Sequence, residues 1–540
     1  MKTMILHIAR IMPRSFMAFS LLLVLFTTGC ATSTSPAGGN GGPVPEKVVI
    51  GLGDDVTYFS SVTLTGGNGN YLSRNVYESL VKIDTNFQAI PGIASSWKLS
   101  SDGKSYEFKL RKGATFVNGD PITVEDVAFA FANSRDPKIN LGLAGEPYKR
   151  WMEVVDNETV RYDLEIPDVG FLRGLAGSFI NHVIPQKYYD SVGGEAGFEK
   201  APVGSGPYKV TDRRIKEGWT LERYDGYWGD KPQVRTAVFK VIPEPSTRVA
   251  ALKVGEIDFV ANFPPASKEQ METTPGFKVI KNAASNTISI RINKLRKTDP
   301  ATGVPNPFLD KRVRQAMSYS IDRDAIINKL LHGIAEPMAV LFPEDFGYDP
   351  ELKPYPYDPN KAKQLLAQAG YPNGFDATFY GLLGERIPLS QEVGEAVANY
   401  MTSVGIRIKL VGEEYAAWLA RTTRNTSEGK PNELYPLGYG MTTQAGSVNP
   451  YTGWRQQSCA STGNQWNCDP DLDKTIELLR NEGDPKKSEA IVKELSRKFH
   501  EQQYTIILYR NVVLYAYKDR IEFTPTAQSQ YVELRNLRWK

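Results

Sequence analysis

A single hydrophobic core stops growing at about 250–300 residues, and this chain runs to 540. Whatever it folds into therefore divides into two or three domains. Composition makes them ordinary folded domains, with 41% of residues apolar and 23% charged. Aromatics reach 11%, including 27 Tyr and 8 Trp. Such flat side chains are apolar and hydrogen-bonding at once, suited to packing first and to ligand surfaces second.

The formal charge of +3 comes from the first thirty residues, where Lys2, Arg10 and Arg14 stand with no acid. The remaining basic residues match the 61 acids one for one. No basic stripe of the kind a nucleic-acid binder needs is visible, so no nucleic-acid partner is expected. Behind those three charges Ser15 to Phe26 (SFMAFSLLLVLF) is apolar. A helix needs about 20 residues to span a bilayer, so this stretch is too short, and residues 1–29 are expected to be a cleaved signal peptide. Thr27-Thr28-Gly29 before Cys30 resembles the lipobox at which bacterial lipoproteins are cut, with Thr27 where Leu is usual. Residues 30–45, a Gly-, Ser-, Thr- and Pro-rich run, would then act as a tether behind a lipidated Cys30. Acyl chains on one Cys hold a protein stably, since about two lipid signals suffice. The expected location is the outer face of the cytoplasmic membrane, in a periplasm or on the cell surface if there is no outer membrane. With Cys30 lipidated, Cys459 and Cys468 remain. An even remainder in an exported protein suggests a disulfide. A metal pair is the competing reading, though no His or second Cys pair lies nearby.

The body alternates strand-like and helix-like stretches. Tyr106, Phe108 and Leu110 share one face of Ser105 to Lys112 while Glu107, Lys109 and Arg111 share the other, the period of a half-buried strand. Asn118-Gly119 supplies a turn. Thr123 with Asp126 forms a capping box, with Val127, Ala130 and Phe131 at helical spacing behind it. Asp310, Asp322 and Asp358-Pro359 open further helices, the last two running to near Gly333 and Gly370.

Enzyme signatures are absent. Gly204-Ser205-Gly206 has Val203 where a nucleophile elbow needs Gly. There is no phosphate loop and no H-E-x-x-H. Four His occur, His7 in the leader and His182, His332 and His500 far apart, each more often structural than a ligand. Acid pairs such as Asp54-Asp55, Glu344-Asp345 and Glu413-Glu414 do acid–base work only where their environments split their pKa values. No catalytic residue, cofactor or metal is expected.

The ordered series from Asn75 to Pro137 is more specific. Trp97, Asp102-Gly103, Tyr106-Phe108-Leu110-Arg111, Gly113, Phe116, Gly119, Thr123 and Asp126-Val127 resemble the family-five solute-binding proteins of ABC importers, the dipeptide-, oligopeptide- and nickel-binding group. The likeness continues through Val203-Gly204-Ser205-Gly206-Pro207-Tyr208 and Tyr224-Asp225-Gly226-Tyr227-Trp228. It goes on in Arg312-Val313-Arg314-Gln315-Ala316, Ile321-Asp322-Arg323 and Tyr357-Asp358-Pro359, covering nearly all of the chain after Lys47. The resemblance implies an α/β fold of the two-lobed periplasmic-binding-protein type II kind, with an extra family-specific subdomain in the first lobe. That lobe would comprise residues 46–75, 204–283 and 507–540, with the extra subdomain at 76–203. The second lobe would be residues 284–506. The chain would be a monomer that closes on a small polar solute and delivers it to membrane permease subunits coupled to an ATPase.

Peptide-binding relatives carry an Asp in a stretch resembling G-W-x-x-D-x-x-x-P, paired with the peptide's α-ammonium. The matching stretch here, Gly438 to Pro450, holds no acid, and none occurs between Glu433 and Asp469. A buried ammonium without a carboxylate partner is costly, so an ordinary peptide would need an acid from elsewhere, such as Asp54 or Glu414. The stretch offers hydroxyls and amides in Thr442, Thr443, Gln444, Ser447 and Asn449, flanked by Tyr439, Met441, Tyr451, Trp454 and Arg455. Aromatic faces with neutral donors suit sugars or sugar-like solutes, and Arg455 can fork onto a carboxylate or phosphate. Tyr415 and Trp418 fall in another family loop near the cleft, and Asn68 and Asn70 are expected to line the first lobe. The expected solute is an oligosaccharide, an opine-like compound or a peptide. Two other readings compete: an exported hydrolase using Asp54 or Glu414, and a sensory or chaperone-like lipoprotein that does not close on a solute.

Overall fold

In the computed structural model the described residues are 46–540, except 57–58, 61–68, 85–87, 135–151, 169, 178–181, 300–301, 343–348, 383–386, 414–416, 419–435, 442–449, 460–465 and 527–530. The leader, Cys30 and the tether lie outside them. So do Asn68, Glu414, Tyr415, Thr442, Thr443, Gln444, Ser447 and Asn449.

Strand β1 (Lys47–Leu52) leads through the helix Gly69–Val76 to a short pair, β2 (Val81–Ile83) and β3 (Ala89–Pro91). A separate antiparallel sheet follows, from β4 (Ala94–Leu99), β5 (Ser105–Leu110), β6 (Glu153–Val154) and β7 (Thr159–Asp163), in the order β4-β5-β7-β6. On β5 the expected alternation is present, with Tyr106, Phe108 and Leu110 buried. The capping box also forms, Thr123 N donating to Asp126 Oδ2 at 2.9 Å and Asp126 N to Thr123 Oγ1 at 3.3 Å, ahead of the helix Val124–Ser134.

The chain then returns to the sheet of β1 with β8 (Tyr208–Arg214), β9 (Gly218–Arg223), β10 (Thr236–Val241) and β11 (Phe259–Ala261). It continues through β12 (Phe277–Ile292), β13 (Phe375–Leu382), β14 (Ile406–Glu413), β15 (Leu437–Met441) and β16 (Thr505–Lys518). Among the described residues these form one ten-stranded mixed sheet, ordered β14-β13-β15-β12-β16-β11-β1-β10-β9-β8. A last antiparallel pair, β17 (Ile521–Phe523) and β18 (Leu537–Trp539), closes the chain.

The long strands β12 and β16 sit mid-sheet and pair antiparallel from Phe277↔Lys518 to Arg291↔Thr505. Their register breaks between Ala283 and Thr287, opposite Val512 and Arg510, and again between Ile288 and Ser289. A bulge frees backbone groups from the ladder and bends the strand. On one side of this break lie β11, β1, β10, β9 and β8; on the other lie β15, β13 and β14.

Both faces of the sheet are covered, because alternate residues feed different apolar clusters. On β11 and β16, Phe259, Val513, Tyr515 and Tyr517 join the first cluster, with Val48, Phe108, Phe239 and Trp539. Their neighbours Val260, Leu514 and Ala516 join the second, with Leu252, Ile290, Phe379 and Val397. A strand buried on both faces reads as a near-continuous apolar run, and β16 is buried over all but its last residue. A third cluster holds Leu472, Leu495, Phe499 and Trp454. All three belong to one compact unit, Pro45–Lys540.

The helices of the later part begin where Asp residues cap them. Asp310 accepts from Arg312 N, Asp322 from Ala325 N and Asp358 from Lys361 N, each at 2.8 Å. The segment after Asp322 is helical only over Arg323–Ala325 before widening into a π turn, Ile326–Leu330. It stops where His332 and Gly333 take positive φ.

Candidate functional site

The motifs that carry the family likeness turn out to be scaffold. Gly204 and Gly206 lie against the end of the helix Gly69–Val76, where a Cβ would come within 2.0 Å and 2.8 Å of the Val76 carbonyl oxygen. Ser205 between them accepts from Glu78 N at 2.9 Å and donates to the Val183 carbonyl at 2.8 Å. Tyr227 donates to Glu78 Oε1 at 2.7 Å, and Arg535 reaches the same oxygen at 3.1 Å. Lys82 stands 3.5 Å from its other oxygen. Burial alone would raise the Glu78 carboxyl, but Arg535, Lys82 and the Tyr227 bond bring it below its ordinary value. The side chain of Trp228 lies under the Arg111 guanidinium at 4.3 Å. Arg323, fully buried, donates to the Ile507 carbonyl at 2.8 Å and to the carbonyl and hydroxyl of Ser318 at 2.9 Å. These groups tie segments far apart in the chain to one another.

The expected ligand contacts that are described divide into three places. On β15, Tyr439 and Met441 occupy strand positions paired with Ile290 and Ile288. Alternate residues Gly438 and Gly440 pair with Arg291 and Ser289, and their missing side chains leave room for indoles. A Cβ at Gly438 would lie 2.4 Å from the Trp466 ring, and one at Gly440 3.3 Å from that of Trp418. The Arg291 guanidinium stands 5.5 Å from the Trp418 ring and 6.0 Å from that of Trp466, within cation–π range. Trp418 is thus a buried member of an aromatic and cationic cluster set on a glycine stripe. Sequence reasoning passed over Arg291 and Trp466. The signal available was the alternation Thr287, Ser289, Arg291, Asn293, which puts polar residues on one face of an otherwise apolar strand.

The second place is the helix Pro450–Arg455. Trp454 is 1% exposed and packs edge-on to Phe342 and Phe499 at 5.4 Å and 5.5 Å. It occupies a core position in the third cluster rather than an open surface. Tyr451 is nearly buried in the same cluster, while Arg455 at the helix end is partly exposed. Cys459 and Cys468 are joined, with an S–S distance of 2.09 Å. The Asp473 carboxylate accepts from Cys459 N at 3.0 Å, which ties Cys459 to the helix Pro470–Asn481, and Trp466, two residues before Cys468, lies against β15 at Gly438.

The third place is Asn70, in the helix Gly69–Val76. It is 1% exposed, and among the described residues neither its amide nitrogen nor its amide oxygen has a hydrogen-bond partner. Among the described residues, no hydrogen bond or ring contact joins Asn70 to Trp418, Trp454 or Arg455. Asp54, weighed as a replacement acid, is exposed. Elsewhere Lys294 lies 3.4 Å over the Tyr504 ring, and burial with the like charge of Arg314 pushes its amine down to about 6. Tyr504 in turn donates to Asp469, the cap of the helix Pro470–Asn481.

Known proteins agree with this architecture. The structure of the periplasmic binding protein DppA from Helicobacter pylori, in complex with peptide STSA, superposes with a TM-score of 0.78 at 24% identity. The match covers 91% of this chain and 98% of that one. The fold is therefore that of the two-lobed periplasmic binding proteins of type II. The family described as bacterial extracellular solute-binding proteins, family 5 (middle) matches residues 88–433. Heme-binding protein A of Haemophilus influenzae is 31% identical over 386 residues, 67% of this chain and 69% of that protein. The dipeptide-binding protein of Escherichia coli is 28% identical over 469 residues, 81% of this chain and 84% of that protein. The chain belongs to the family-five extracellular solute-binding proteins, the group that serves ABC transporters. Among the described residues no helix is long and apolar enough to cross a membrane.

Proposed function

We propose that this protein is the solute receptor of an ABC importer, held by a lipidated Cys30 at the outer face of the cytoplasmic membrane. It closes as a monomer on a polar organic solute and passes it unaltered to the permease. The first lobe is taken as residues 46–75, 204–283 and 507–540 with the extra subdomain 76–203, and the second as residues 284–506. One observation carries the reading. Strands β12 and β16 link the two ends of the sheet, and their ladder breaks between Ala283 and Thr287, opposite Arg510 and Val512. A local break across paired strands is where two packed halves can rotate with little else disturbed.

The solute is an oligosaccharide, an opine-like compound or a peptide. The absence of any Asp or Glu between Glu433 and Asp469 weighs against a free α-ammonium at that end of the cleft. The buried cationic and aromatic cluster of Arg291, Trp418 and Trp466 would favour flat, polar or anionic groups if the cleft reaches it. Small-angle X-ray scattering of the full chain tests the reading. The radius of gyration is expected to fall on adding at least one member of a peptide and sugar panel. A radius unchanged across the whole panel would sink it.

A further inference from the structure

Asn70 is not alone. One turn along the same helix face stands Ser73, fully buried, whose hydroxyl also has no hydrogen-bond partner among the described residues. One turn further, Tyr77 stacks on His182 with ring centroids 5.8 Å apart. His182 is 7% exposed, and its Nδ1 is a third buried polar group without a partner among the described residues. Buried polar atoms are nearly always satisfied, and each exception asks for an occupant or a reason. Two of these exceptions share one helix face and the third, His182, is brought to the end of that helix by its stacking on Tyr77. Nearby charges are committed elsewhere: Arg74 to Glu533 at 3.2 Å, and Glu78 to Tyr227 and Arg535.

We propose that Asn70, Ser73 and His182 form a hydrogen-bonding strip that takes an uncharged part of the solute, a hydroxyl or carboxamide. The three side chains carry donors and acceptors but no formal charge. An ammonium or carboxylate placed here would find the nearby Glu78 and Arg74 already paired with other groups, whereas a hydroxyl or amide both gives and accepts. Burial, with Arg74 nearby, holds the His182 ring neutral by pushing its pKa down to about 3, which keeps one ring nitrogen an acceptor. The strip deepens the solute-binding reading above and rests on it.

The test uses the full chain, Ser73→Ala and Asn70→Leu with three probes: maltotriose, N-acetyl-alanyl-alanine amide and zwitterionic trialanine. Calorimetry reads affinity, scattering reads closure, and thermal melts read the unliganded proteins. An uncharged probe is expected to bind and compact the wild type, with affinity reduced about five- to tenfold in each variant. The unliganded variants should melt at or above the wild-type temperature, because each loses an unpaired buried polar group. Uncharged probes that bind the variants as tightly as the wild type would overturn the strip and leave the receptor reading standing. So would binding of trialanine alone, or variants that melt lower without ligand. A wild type that neither binds nor compacts with any probe removes both.

Discussion

Glu78 shows how far a single residue can organise this fold. Its side chain is wholly buried and touches Lys82, four residues on, with Tyr227 and Arg535 from distant parts of the sequence. Such an ion cluster adds little net stability when complete but is costly to break. Tyr227→Phe leaves one carboxylate bond unmade and should lower unfolding stability by about 1–3 kcal/mol in urea titration. Glu78→Gln removes the nearer of the two counter-charges of Arg535, leaving Glu533 at 3.5 Å, and should cost about 3 kcal/mol. His182 gives a pH signature of opposite origin. Its folded pKa of about 3 lies below the ordinary 6.5 because burial disfavours the charged ring. Between those values the unfolded chain binds a proton that the native one refuses, so stability falls as pH falls from 6.5 towards 3. The slope is at most about 1.4 kcal/mol per pH unit. Denaturation across that window should show it, and His182→Gln should flatten it. A slope unchanged by the substitution would mean that the ring titrates normally.

At the scale of elements, tight approaches and cross-links set the geometry. Gly204 lets its segment lie on the Val76 carbonyl, where a Cβ would be 2.0 Å from oxygen. No real contact is that short, and the neighbour is backbone. Gly204→Ala should therefore displace the helix Gly69–Val76 and cost about 1–3 kcal/mol, with a lowered melting temperature as the readout. The Cys459–Cys468 bridge closes a loop with a sequence separation of 9. Chain entropy assigns such a loop about 2.5–3 kcal/mol. Replacing both Cys by Ser should lower the melting temperature in non-reducing buffer and leave it unchanged by reductant. The bridge also holds Trp466 near Gly438, so the same variant should weaken solute binding if the indole borders the cleft.

For the molecule as a whole, closure is an equilibrium that a solute can shift only by what it gains in the closed state. Turning a population from 1:99 open-favoured to 99:1 closed takes about 5.5 kcal/mol of differential binding. Spread over the hydrogen bonds and aromatic contacts of two surfaces, that is a modest demand for a solute held on both sides. A tightly bound solute that leaves the radius of gyration untouched would have equal affinity for both states, contrary to this mechanism.

The local chemistry was legible in the sequence. Apolar alternation on Ser105–Leu110, the Thr123–Asp126 box and the caps at Asp310, Asp322 and Asp358 depend on neighbours a few residues away. The ordered motifs were enough to indicate the family and with it the fold. Their purpose was not legible, because Ser205 with Glu78, or Tyr227 with Arg535, become partners only when segments far apart in the chain are packed together. The same holds for Trp454, whose packing against Phe342 and Phe499 joins segments far apart in the chain. Arg291 between two indoles, and the unpaired row of Asn70, Ser73 and His182, were likewise decided by tertiary packing. Burial and hydrogen-bond satisfaction are properties of the assembled fold, and a linear pattern carries them only where partners are close in sequence.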